Sequence, residues 1–84
     1  MAYQVVLQKK AQKELDKVDV RYRARIIASL LELQINPFTG KKLSGELNGL
    51  WSLRIWPYRI IYIVKKNELI ILVIKIGHRQ GVYE

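Results

Sequence analysis

The side chains with the clearest chemical potential in this 84-residue sequence are Arg54, Arg59 and Arg79, with His78 and Tyr83 beside the last of them. Arg54 sits in Trp51-Ser52-Leu53-Arg54-Ile55, where alternation sends Trp51, Leu53 and Ile55 to one side and Ser52 and Arg54 to the other. Arg59 stands near the start of the next apolar run, so two guanidinium groups can converge on one face. Arg79 follows the last apolar segment, with Tyr83 four residues beyond it. A guanidinium plane matches phosphate oxygens and keeps its charge, while a tyrosine can stack on a base or donate a proton. Such a set suits RNA better than a small metabolite.

Other chemistries are poorly supplied. There is no cysteine, hence no disulfide, thiolate metal site or cysteine nucleophile. One histidine and seven scattered carboxylates offer no metal-ligand spacing, so no metal and no cofactor is expected. Neither a phosphate-cradling glycine loop nor a GxSxG turn is present. Metal-free phosphodiester chemistry and plain binding remain. Taken singly, each residue also has an ordinary structural reading. Arg54 can be a solvated strand residue, Arg59 a partner of Glu46 or Glu68, His78 a turn residue, and Lys41-Lys42 a solvated loop or a phosphate contact. The combination is what points to RNA.

Fifteen Lys and Arg against seven Asp and Glu give a net charge of +8, which repels itself until an anionic surface neutralises it. The cations are spread through both halves, nine in residues 1–42 and six in 43–84, so the charge belongs to a fold and not to a tail. Half the residues are hydrophobic, enough for a folded domain, and the length suits a single one over residues 1–84. Met1 to Lys10 has no apolar signal core, and the longest apolar run, Leu69 to Ile74, is far short of a bilayer span. A soluble, cytoplasmic protein is expected.

The elements that must position these residues follow from periodicity. Tyr3 to Leu7 is aromatic and β-branched and reads as a first strand. Ala11, Leu15 and Val18 mark one narrow helical face, and Asp19 can cap a second helix. In that helix Tyr22, Ile26, Ile27, Leu30, Leu31 and Leu33 form the apolar face until Asn36-Pro37 stops it. Residues 36–49 read as a loop, followed by strands over Leu50 to Ile55, Tyr58 to Val64 and Leu69 to Ile76, the last breaking at Gly77. The last strand is apolar on both faces and is therefore central. The expected fold is α+β: an N-terminal strand and a helical hairpin packed on one face of a mainly antiparallel four-stranded sheet, β-α-α-β-β-β, with the other face open.

Asn36-Pro37, Gly40-Lys41-Lys42-Leu43, Gly45, Leu47, Gly49-Leu50-Trp51-Ser52-Leu53-Arg54, Tyr58-Arg59-Ile60-Ile61-Tyr62, Gly77-His78-Arg79 and Val82-Tyr83 together resemble the RelE/ParE superfamily of toxins from type II toxin–antitoxin systems. The resemblance covers essentially the whole chain. The C-terminal Arg and Tyr place it nearer the RelE-like branch, ribosome-dependent mRNA interferases, than the ParE branch, which poisons DNA gyrase.

What the resemblance implies is specific. Arg54 and Arg59 match basic positions that hold the scissile phosphate, Arg79 an arginine that supports the transition state or leaving group, and Tyr83 the tyrosine that stacks on mRNA. Lys41, Lys42, Ser52 and His78 are candidate RNA-binding residues. The implied reaction is attack of the RNA 2′-hydroxyl on the adjacent phosphate, and the implied partners are the ribosome, its mRNA and a RelB-like antitoxin. At Ser52 relatives carry a catalytic lysine that serine does not replace, which leaves the general base unassigned and His78, with an ordinary pKa of about 6.5, as the candidate proton acceptor. A ParE-like gyrase inhibitor and an inactive RNA- or ribosome-binding module are the alternatives.

Overall fold

The computed structural model describes residues 2–78, with the order β1 (Gln4–Leu7), α1 (Lys9–Asp16), α2 (Val20–Ile35), β2 (Lys41–Lys42), β3 (Trp51–Ile55), β4 (Tyr58–Lys65) and β5 (Ile70–His78). Arg79 and Tyr83 lie outside the described residues. The strands form one mixed sheet in the spatial order β1-β5-β4-β3-β2, in which only β1 and β5 run parallel. The α+β fold with a helical hairpin on one face is as expected, but the sheet has five strands, not four. Lys41 and Lys42 leave the expected loop to pair with Ser52 and Trp51 as a two-residue edge strand. The charged side chains of so short an edge oppose further strand addition. β5 also runs through Gly77 to His78 instead of breaking at the glycine, because Tyr58 and Arg59 continue the ladder opposite them.

Local chemistry sets the helices. α1 buries Ala11 and Leu15 at i and i+4, and Val18 just beyond its end completes the stripe. The Asp19 carboxylate accepts the Arg21 N–H at 2.9 Å and caps α2. Arg23 donates to the carbonyls of Asp16 and Val18, satisfying acceptors that the end of α1 leaves open. The hairpin is thus closed by its own charged residues.

Ala11, Leu15, Val18, Ile26, Leu30 and Leu33 from the helical layer pack on Ile55, Ile60, Tyr62, Ile71, Val73 and Ile76 of the sheet. The expected apolar face of α2 was too wide. Ile27 and Leu31 stay 43% and 57% exposed, because about 100° per residue carries them round from the line of Ile26, Leu30 and Leu33. A carboxylate oxygen of Glu14 on α1 accepts the Ile76 N–H of β5 at 3.0 Å, two residues past the point where the β4–β5 register shifts. Helix and sheet are therefore linked beside a bulge as well as through apolar contact.

Candidate functional site

Sheet register decides which side chains share the face away from the helices. In the β3–β4 hairpin Arg54 stands directly opposite Arg59, and on the far side of β4 Arg59 stands opposite Gly77 of β5. Two residues along the strands, Lys41, Ser52, Ile61 and Lys75 form a row crossing β2, β3, β4 and β5. Side chains of residues directly opposite each other in a ladder share a face. The open face therefore presents Lys41, Arg54, Arg59 and Lys75 around Ser52 and Ile61, which are 6% and 4% exposed.

An open cleft of about 310 Å³ lies there, lined by Thr39, Gly40, Lys41, Ser52, Leu53, Arg54 and Arg59. Arg54 is exposed and Arg59 half-buried. Like charges directly opposite each other across a ladder are destabilising, and a bound anion between them relieves that repulsion. Lys65 reaches Glu68 at 4.0 Å, an ion pair at the far turn of the β4–β5 hairpin.

The candidates separate by face. Lys41, Ser52, Arg54 and Arg59 come together at the cleft. Lys42 pairs with Trp51, one step out of phase, and is carried to the other face. His78 is opposite Tyr58, its ring edge-on to the tyrosine ring at a centroid distance of 5.8 Å. Tyr58 in turn packs against Tyr22 of α2, which puts His78 on the helix side of the sheet, away from the arginine pair.

Lys75, Thr39, Gly40 and Tyr62 were missed as contributors. A lone lysine in an otherwise apolar strand was the available signal for Lys75. Nothing local marks Tyr62, whose role depends on a partner more than twenty residues away: its hydroxyl accepts the Gly40 N–H at 3.1 Å and donates to the Pro37 carbonyl at 2.9 Å. Burial pushes its pKa above the ordinary phenol value, so it remains a donor.

The sequence model described as the ParE toxin of the type II toxin–antitoxin system parDE matches residues 5–83. The chain belongs to that toxin family. Among related RelE/ParE toxins, it is 28% identical to toxin RelG of Mycobacterium tuberculosis over 99% of this chain and 98% of the relative. Its fold superposes on the toxin–antitoxin complex RelBE2 from Mycobacterium tuberculosis with a TM-score of 0.87 at 27% identity, covering 94% of this chain and 100% of that one. An archaeal RelE–RelB complex from Pyrococcus horikoshii OT3 gives 0.82 at 26% identity, over 98% and 100% of the two chains. A type II toxin of the RelE/ParE superfamily is thus established on both sequence and fold.

Proposed function

We propose that this toxin is a ribosome-dependent mRNA endoribonuclease that stops translation without a metal. The observation that carries the reading is the opposed pair Arg54 and Arg59 beside Lys41 in one open cleft. In the reaction the RNA 2′-oxygen bonds to the adjacent phosphorus and the bond to the 5′-oxygen breaks. Products are a 2′,3′-cyclic phosphate and a 5′-hydroxyl. The 2′-hydroxyl proton is taken up by water and the departing 5′-oxygen is protonated by water, so no net proton is gained or lost. Two guanidinium groups supply alignment and charge neutralisation, the dominant needs of in-line phosphoryl transfer. Arg79 supports the leaving group and Tyr83 stacks on a base, as the family resemblance implies.

Among the described residues the cleft lining holds no carboxylate or imidazole. With Ser52 unable to take a proton at neutral pH and His78 turned to Tyr58, charge and positioning by cations carry the catalysis, and substrate ordering by the ribosome completes it. The restraining partner is an antitoxin. An acidic, amphipathic chain would neutralise the +8 charge and cover the exposed Val20, Ile27, Leu31 and Ile35 of α2, and RelB-like chains accompany the related toxins named above.

In vitro translation with primer-extension mapping tests the activity. Wild-type protein is expected to produce codon-positioned mRNA ends, and Arg59→Ala, Arg79→Ala and Tyr83→Ala to lose most of them. The ParE description of the matched family supports a second reading, inhibition of DNA gyrase. Gyrase inhibition by purified protein without mRNA cuts would establish that reading and overturn the first.

A further inference from the structure

Before Lys41 joins β2, the cleft wall at Thr39 and Gly40 is an irregular turn, and a side chain from the middle of the sheet holds it. Tyr62 of β4 is fully buried on the helix side, stacked on Trp51 with ring centroids 6.3 Å apart, while Trp51 tilts against Phe38 at 5.3 Å. Its hydroxyl bridges the two ends of the turn, the Pro37 carbonyl and the Gly40 N–H. Gly40 sits so close that a Cβ there would lie 2.5 Å from that hydroxyl and 2.7 Å from the Ser52 carbonyl oxygen. One residue later the backbone enters the ladder and faces Lys41 toward Arg54 and Arg59. The fold thus ties the place where Lys41 emerges to a single buried phenol.

Resting on the RNA-cleaving reading, we propose that Tyr62 is a positioning residue, whose hydroxyl sets the 37–40 turn and so delivers Lys41 to the phosphate held by Arg54 and Arg59. A lysine leaving an unrestrained edge loses backbone and side-chain freedom on each binding event. A prefixed turn removes the backbone part of that loss, so contact with the phosphate is tighter. Phenylalanine at 62 keeps the stacked ring and removes only the two hydrogen bonds, which separates positioning from core packing.

The test is a double-mutant cycle of Tyr62→Phe and Lys41→Ala, read as affinity for a short single-stranded RNA oligonucleotide across a salt series. Each single variant is expected to weaken binding and to reduce the slope of log affinity against log salt by about 0.7, one phosphate contact on a single strand. The double variant should match the singles, because Lys41 is already misplaced when the hydroxyl is gone. Arg59→Ala should keep its full effect in the Tyr62→Phe background, which a general loosening of the protein would not allow. Exchange of the Gly40 amide hydrogen should accelerate by about tenfold or more in Tyr62→Phe. Additive effects in the cycle, or unchanged Gly40 exchange, overturn the inference while leaving RNA binding intact. Wild-type protein without salt-dependent RNA affinity overturns the inference; wild-type protein that also leaves no codon-positioned mRNA ends in translation overturns the functional reading with it.

Discussion

In the proposed function Arg54 and Arg59 divide one task, because they leave adjacent strands at opposed positions. A phosphate between them meets donors from two sides, and neither guanidinium can be neutralised by proton loss. Arg54→Ala and Arg59→Ala should each weaken binding of single-stranded RNA and lower the salt slope by about 0.7, measured by fluorescence anisotropy between low and moderate salt. Tyr62 makes a separate prediction. Its native pKa is raised by burial from an ordinary value of 10.0, so the folded state holds its proton more tightly than the unfolded chain. That stabilisation is complete below about pH 10 and is lost as pH climbs from there through the higher native value. Denaturant titrations on the alkaline side should show stability falling less steeply with pH in Tyr62→Phe than in wild type.

At the scale of elements, the turn before β2 and the cap of α2 are the sensitive points. Gly40→Ala puts a methyl group against the Tyr62 hydroxyl and a backbone oxygen of β3, and only the turn can yield. It should cost about 1–3 kcal/mol in urea unfolding, as overpacking does, and weaken RNA binding with it. Asp19 is held below its ordinary pKa of 3.8, first by the Arg21 N–H and then by the Arg21 side chain. The cap therefore contributes fully above that value and is lost as pH falls through the lower native pKa. Wild type should lose more thermal stability than Asp19→Asn as pH is taken from 5 to 2, since asparagine caps without titrating. Within α2 the two sides should answer differently: Leu33→Ala, fully buried, should cost about 2–5 kcal/mol, whereas Leu31→Ser should stay within about 0.5 kcal/mol. Chemical denaturation of the two variants checks which line of the helix carries the core.

Across the whole molecule, the helices occupy one face of the sheet and the excess charge gathers in part on the other, so packing and the proposed anion recognition do not compete for the same surface. Much of that plan was readable from the chain. Period-two alternation at Trp51 to Ile55 marked Arg54 as facing away from the core, and the spacing of Ala11, Leu15 and Val18 marked one buried stripe, because both patterns are local consequences of backbone geometry. Asp19 announced its helix by the same logic. Short stretches such as Gly40-Lys41-Lys42-Leu43 and Tyr58-Arg59 carried the family, and the match over residues 5–83 agrees with them. Tertiary structure alone decided the rest. The fifth strand at Lys41–Lys42, the row from Lys41 to Lys75, the division of Lys41 from Lys42 and the turning of His78 toward Tyr58 all depend on register between strands distant in sequence. The bond from Tyr62 to the 37–40 turn spans more than twenty residues and leaves no periodic trace in the chain. Local sequence determines which way a side chain points from its own strand; which other side chains it meets is settled only when the strands pair.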